Sequence, residues 1–331
     1  MTQTLDITTA ILKDLVAFPT VSADSNLDMM GYITDRLEAA GAKVDIQHDE
    51  SGTKANLFAT IGPEVDGGIV LSGHSDVVPT SDQVWATDPY ELNERNGRLF
   101  GRGTCDMKGF VAASVAMAPQ FAQATREIPL HIAVTYDEEV GCIGAGHLAK
   151  FLKQKGIRPR IAIVGEPTLM RLVDGHKGCF EYTTRFRGLE GHGSDPDRGV
   201  NAVEYASRYV ARLLELRNEL QTRTPADSNF APPWTTLNVG AVHGGTVPNV
   251  IAPQAEIAWE MRPVQTSDAE FVKSRLSDFC NRELLPAMLA VTPDASIETE
   301  VIGEVIGLEP DTGNQAVRLV SKLTGANGTE T

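Results

Sequence analysis

Cysteine is scarce in this chain and long apolar runs are missing, and each lack removes a class of protein. Cys105, Cys142, Cys179 and Cys280 are spread over 331 residues, and no two have CxxC spacing. A chain of this size is far larger than a disulfide-stapled scaffold, so reduced thiols and a cytoplasmic location are expected. No run of about 18 apolar residues occurs, so no membrane span is expected. Asp6, Lys13 and Asp14 interrupt the first apolar stretch, which spoils a signal-peptide core. Positive charge is also in short supply. The 29 Lys and Arg against 44 Asp and Glu leave a net charge of −15, which argues against a nucleic-acid partner. No Walker loop is found, nor a GxGxxG after the first strand, which disfavours a phosphate- or nucleotide-binding α/β protein. Internal repeats and low-complexity tracts are absent.

What is present reads as two domains, because 331 residues exceed the size at which one core stops growing. Helices are expected over 5–17, where Leu5, Ile11, Leu12, Leu15 and Val16 share a face, and from Ser25 to Ala40. Asp24 or Ser25 can cap the second, and Gly41 ends it. Strands are expected at 43–47, 56–61, 69–72, 130–135 and 161–164, and a small-residue helix at 107–118. The last two strands are short apolar runs of the kind covered on both faces. This alternation is α/β. The character changes near Gly175. A strand at 180–187, a helix at 201–216, strands at 235–242 and 255–261, a helix at 267–289 and a strand at 296–305 follow. That order, βαββαβ, is the ferredoxin-like split unit, an α+β module. A last helix at 316–323 is expected to return to the first domain. The boundaries are therefore 1–174 with 307–331, and 175–306.

The chemistry-bearing residues sit just after the apolar runs. Ile69-Val70-Leu71 leads into Ser72-Gly73-His74-Ser75-Asp76. Residues 132–136 lead into Asp137-Glu138-Glu139, and 161–164 into Gly165-Glu166-Pro167. In an open α/β sheet, ligands bind beyond the carboxyl ends of the strands, so these groups are expected to converge with Asp106. So many carboxylates repel one another unless cations hold them, and mixed imidazole and carboxylate donors suit zinc. Each residue also has a plainer reading. His74 and Asp76 are a ligand and its orienting carboxylate, or a surface His near an unrelated Asp. Asp106 bridges two metals, or caps the helix that follows. Glu138 and Glu139 divide between water and metal, or form a solvated acidic turn. Glu166 is a ligand or a surface acid. In the second module, His192 is an oxyanion donor or a loop His, and Asn249 and Arg262 are substrate contacts or structural residues. Cys105 is taken as packing.

These residues resemble those of the M20 family of zinc aminoacylases and peptidases. The matching stretches are Ser72 to Pro79, Gly101 to Gly109, Asp137-Glu138-Glu139, Gly165-Glu166-Pro167 and Gly191-His192-Gly193-Ser194, and the likeness covers essentially the whole chain. Within the family the chain looks most like the members that deacetylate N2-acetyl-ornithine. Trp85 with Asp88-Pro89-Tyr90, Gly103 to Phe110, and Gly175-His176-Lys177-Gly178 carry that closer match. The resemblance implies a catalytic domain with a mixed central sheet and an inserted ferredoxin-like lid that dimerises. It implies two zinc ions per subunit, with cobalt also fitting the ligands. His74, Asp106 and Glu166 would hold one ion, and Asp106, Glu139 and a late histidine the other. Glu138 would be the general base and Asp76 the partner of His74. His192 would steady the oxyanion across a dimer interface, and Asn249 and Arg262 would contact the substrate carboxylate. The implied reaction is hydrolysis of a small N-acyl amino acid, N2-acetyl-ornithine, to ornithine and acetate, within arginine biosynthesis. Succinyl-diaminopimelate, other N-acyl amino acids and dipeptides are alternative substrates. None of the seven histidines follows the second module, so the late ligand is expected to be missing with a C-terminal segment. A homologue that only dimerises is the corresponding non-catalytic alternative.

Overall fold

The computed structural model describes residues 2–124, 127–311, 313–326 and 328–331. Met1, Thr125, Arg126, Thr312 and Asn327 lie outside the described residues. The chain divides into two units, Met1–Arg171 with Gln315–Ala326, and Leu172–Asn314 with Asn327–Thr331. The division departs from the sequence boundaries at 174/175 and 306/307 because the flanks of the insertion pair with each other. His176 bridges Leu308, and Val173 bridges Glu330.

In the first unit, α1 (Thr2–Val16) and α2 (Leu27–Ala39) form where apolar residues recur at helical spacing. Ile11, Leu12, Leu15 and Val16 of α1 are buried, as are Met29, Met30, Ile33 and Leu37 of α2. Gly41, at φ +84°, ends α2 in a Schellman turn, with Ala42 N–H on Leu37 O and Gly41 N–H on Glu38 O. Next come β1 (Lys43–His48), β2 (Ala55–Ile61), β3 (Ile69–His74), and a small hairpin of β4 (Asn93–Arg95) and β5 (Arg98–Phe100). They are followed by α3 (Lys108–Gln123), β6 (Leu130–Thr135), α4 (Ile143–Lys155) and β7 (Ile161–Val164). The sheet order is β1-β2-β6-β3-β7. The pairs β1–β2 and β2–β6 are antiparallel, whereas β3 runs parallel to both β6 and β7.

The sheet has a core on each side. Leu57, Ala59, Ile61, Ile132 and Val134 pack under α1, α2 and α3. The alternate residues Phe58, Val70 and Ala133 face Leu148 of α4. Each fully buried side chain of this size stabilises the fold by about 1.5–3 kcal/mol. Of the two strands expected to be covered on both faces, only β6 is. At the sheet edge, β7 alternates, and Val164 is 59% exposed. Sequence periodicity did not show α4, whose first residues are glycine-rich. Gly144 is required there, since a Cβ would lie 2.3 Å from Tyr136 O.

The second unit contains β8 (Cys179–Arg187), the short β9 (Gly191–His192), α5 (Ala202–Gln221), β10 (Thr236–Gly244), β11 (Val250–Ile251), β12 (Gln254–Arg262), α6 (Thr266–Phe279), α7 (Leu285–Leu289) and β13 (Ser296–Val305). Its main sheet is antiparallel with the order β10-β12-β8-β13, the strand order of the ferredoxin-like split unit. Asn201 caps α5 by accepting from Val203 N–H at 3.1 Å. Ala206, Tyr209, Leu213, Leu216 and Leu220 of α5 pack on Ala255, Ile257, Trp259 and Met261, the alternate residues of β12. The helix expected over 267–289 is broken by a π turn at Cys280–Leu284. Pro286 has no N–H for Arg282 O, so the α ladder cannot run through it. The chain then returns to the first unit as α8 (Gln315–Thr324), which lies against β7.

Candidate active site

Because β6, β3 and β7 are adjacent and parallel, their carboxyl ends open at one edge of the sheet. His74 ends β3, the acidic turn Asp137-Glu138-Glu139 follows β6, and Glu166 follows β7. Asp106 enters from the loop ahead of α3; the Asp106–Met107 peptide is cis. Ligand atoms of His74, Asp106 and Glu139 all lie within 4.8 Å of one another. Asp106 Oδ1 is 3.0 Å from His74 Nε2, and Glu166 Oε1 is 3.9 Å from the same nitrogen. The alternative role for Asp106, capping, is not realised: Met107 is the cap residue of α3, and no side chain bonds there.

His74 is fully buried, and its two nitrogens differ. The Nδ1–H donates to the backbone carbonyl of Asp76 at 2.8 Å, which leaves Nε2 aimed at Asp106 and Glu166. The Asp76 carboxylate is 3.5 Å from Nδ1. Its own hydrogen bonds come from Ser22 Oγ at 2.7 Å and from the N–H groups of Glu138 and Glu139 at 3.1 and 3.2 Å. Asp76 thus orients His74 through its main chain and the acidic turn through its side chain.

The electrostatics show acids crowded around a single imidazole. Burial raises the Glu166 carboxyl, and Asp106 and Glu138 push it further, to about 7 against the opposing pull of His74. Burial also raises Glu139, helped by Asp106, Glu138 and Asp76. For His74, burial works downward, but Asp76, Asp106 and Glu166 outweigh it and lift the imidazole to about 9. A metal ion bound there would take the place of these protons as the counter-charge. One imidazole and two carboxylates around one point, with Glu166 close by, fit a divalent ion such as zinc, cobalt or manganese.

Sequence reasoning missed the buttress beneath these residues. Asn26 Nδ2 donates to Ser75 Oγ and Ala55 O, both at 2.9 Å. Thr20 Oγ1 donates to Ser75 O at 2.6 Å, and Ser75 Oγ to Thr135 O at 2.8 Å. Lys108 is buried, and its Nζ donates to Leu15 O and Phe18 O at 3.0 and 2.7 Å, tying the start of α3 to the end of α1. Burial pushes the Lys108 amine down to about 7. Cys105, expected as packing, is exposed.

His192, Asn249 and Arg262 belong to the second unit. The ladder between β9 and β11 brings the first two together, with Gly193 N–H donating to Asn249 O at 2.8 Å. Ser194 N–H donates to His192 Nδ1 at 3.2 Å, so in the neutral ring the proton is on Nε2. Arg262 is at the far end of β12 from this ladder, roughly 26 Å along the strand. There it pairs with Glu260 at 2.8 Å.

Fold and donor cluster together define a metal-dependent amidohydrolase. Residues 70–297 match Peptidase family M20/M25/M40, and the chain belongs to that family. It is 35% identical over 326 residues to acetylornithine deacetylase of Shigella sonnei (strain Ss046), covering 96% of this chain and 82% of that protein. In fold it is similar to an M20 family metallo-carboxypeptidase, Sso-CP2, from Sulfolobus solfataricus. There the TM-score is 0.72 at 15% identity, covering 97% of this chain and 84% of that one. A tripeptidase from Staphylococcus aureus subsp. aureus mu50 gives a TM-score of 0.70 at 17% identity, covering 98% and 83%.

Proposed function

We propose that this protein removes the acetyl group from N2-acetyl-ornithine, giving ornithine and acetate. The observation that carries the reading is the clustering of His74, Asp106 and Glu139 donor atoms, with Glu166 close by and Glu138 adjoining. The identity to acetylornithine deacetylase along nearly the whole chain supports the choice of substrate.

His74, Asp106, Glu139 and Glu166 are assigned as metal ligands, two zinc ions being the full complement and cobalt an acceptable substitute. A cation bound there lowers the pKa of a water and polarises the amide carbonyl. Glu138 accepts the proton of the attacking water on a carboxylate oxygen. Hydroxide adds to the acyl carbon, the C–N bond breaks, and Glu138 returns the proton to the departing amine nitrogen. Asp76 keeps Glu138 and Glu139 in place through their amides. His192 is assigned as donor to the oxyanion across the dimer contact, and Asn249 and Arg262, too far apart to share one carboxylate within a chain, are assigned to the substrate carboxylate from different subunits. The second unit is proposed to carry a homodimer contact, and the protein to act in the cytoplasm in arginine biosynthesis.

The test is ornithine release by zinc-loaded protein from N2-acetyl-ornithine, run beside N-succinyl-diaminopimelate, other N-acetyl amino acids and dipeptides. Preference for acetyl-ornithine by at least about tenfold in kcat/KM, a gap of ~1.4 kcal/mol, supports the reading. Faster turnover of another amide replaces the substrate and keeps the chemistry. No turnover of any amide by protein that holds two zinc ions per chain rejects both.

A further inference from the structure

Lys54 lies just before β2, and no motif draws attention to it. Its Nζ donates to both carboxylate oxygens of Asp137 at 2.7 Å and to the carbonyl of Ser22 at 2.5 Å. Both side chains of the ion pair are largely enclosed, 17% and 12% exposed. Asp137 has φ +54°, a left-handed conformation that few residues other than glycine adopt, and it immediately precedes Glu138 and Glu139. Such a backbone persists only where its surroundings over-determine it.

The surroundings here hold the turn from two sides. Lys54 grips the side chain of Asp137. The Asp76 carboxylate grips the N–H groups of Glu138 and Glu139. Ser22 joins the grips, with its carbonyl on Lys54 and its hydroxyl on Asp76 Oδ2 at 2.7 Å. The following chain closes the turn, as Ile143 N–H and Gly144 N–H donate to Asp137 O and Tyr136 O, both at 3.1 Å. The turn carries two adjacent carboxylates beside those of Asp106 and Glu166. Their mutual repulsion favours opening the turn, and the Lys54 ammonium opposes it from beneath.

We propose that Lys54 is a positioning residue of the hydrolytic site. Acting through Asp137 and Ser22, it sets the directions in which Glu138 and Glu139 leave the turn. The inference rests on the reading of Glu138 as base and Glu139 as ligand. An ion pair that only stabilises the fold would change melting without changing the geometry of a bound metal or the rate of the folded protein.

The experiment compares Lys54→Met, Lys54→Arg and Asp137→Asn with the parent protein in three readouts: thermal melting, the visible spectrum of the cobalt-loaded protein, and kcat and KM on the amide the parent hydrolyses fastest. Lys54→Met is expected to lose about 10- to 100-fold in kcat with KM changed by less than about threefold, as a group misplaced by an ångström does. Its cobalt spectrum is expected to shift, and Lys54→Arg to recover most of the rate and the parent spectrum. Parental kcat and cobalt spectrum in folded Lys54→Met overturn the proposal, whatever its melting temperature. If Lys54→Met does not fold, Asp137→Asn decides, because it removes the charge that Lys54 grips while keeping the size of the side chain and a residue type that tolerates φ +54°: a lowered kcat with a shifted spectrum supports the inference, and parental values overturn it. If the parent hydrolyses no amide, the functional reading fails separately, and the cobalt spectra alone judge the clamp.

Discussion

Gly165 is the described glycine at which an added methyl group has the least room. A Cβ there would lie 1.9 Å from Cγ of Phe110 and 2.2 and 2.3 Å from the two Cδ atoms. Ordinary carbon–carbon contact is about 3.5–4.0 Å, so ring and strand must separate by roughly 2 Å. The helix fixes the backbone of Phe110, so a turn of the half-buried side chain relieves only part of the overlap. Phe110 is in the first turn of α3, beside the anchored Lys108 and the buried Val111. The displacement therefore divides between Glu166, the next residue, and the loop that carries Asp106. Overpacking of this kind costs about 1–3 kcal/mol, and an ångström of misplacement in a reacting constellation costs on the order of 100-fold in rate. Gly165→Ala is thus expected to melt a few degrees lower, bind less zinc per chain after dialysis, and turn over about 10- to 100-fold more slowly. Gly165→Ala combined with Phe110→Ala removes the obstructing ring and should regain zinc stoichiometry, even if Phe110→Ala alone weakens the packing. Elemental analysis and melting of all three variants settle the matter. Full zinc content in Gly165→Ala, or a double variant no better than the single one, refutes the steric argument.

Glu138→Gln keeps the size and hydrogen-bonding shape of the side chain while removing the base. It is expected to retain parental zinc content and to lose about 100-fold or more in kcat, and near-parental turnover would remove Glu138 from its role. His74→Ala is expected to bind fewer zinc ions per chain by elemental analysis; unchanged stoichiometry would exclude His74 as a ligand. The same variant tests the electrostatics of the metal-free site. The folded imidazole is raised to about 9 from 6.5, so its contribution to stability is complete below about 6.5 and is lost as pH rises through 9. In chelator, the melting advantage of the parent over His74→Ala should therefore shrink between those values. A gap that stays constant or widens contradicts the charge arrangement around His74.

Part of this site was legible because its chemistry is written locally. A polar residue directly after an apolar run marks a strand end, and three such ends on parallel neighbours must share an edge. That rule brought His74, Glu139 and Glu166 to one edge, and the resemblance to the M20 family supplied their role as candidate ligands and that of Asp106. The lid-like module was equally open to reading, because α5 and β12 carry clean helical and alternating patterns. The sheet edge misled for a related reason. Ile161–Val164 is apolar whether or not its outer face is covered, and periodicity cannot distinguish a central strand from an edge strand of four residues.

The support beneath the site was hidden for a different physical reason. Ser22 bonds Asp76 across 54 residues, Asn26 bonds Ser75 across 49, and Lys54 bonds Asp137 across 83. In a linear reading each is a polar residue in a polar loop, the ordinary composition of solvent-exposed chain. Only the fold shows that their partners are buried, and burial gives these bonds their weight, because an unpaired polar group out of water costs more than a paired one gains. Asp76 shows both sides of this. Its spacing from His74 suggested a carboxylate oriented on the ring, yet its main-chain carbonyl takes that bond. The carboxylate is thereby left to the amides of Glu138 and Glu139, 62 and 63 residues away. The candidate ligands of such a site are read from residue type, spacing and family resemblance. The residues that hold them still are recognised by which buried donors and acceptors lack any other partner.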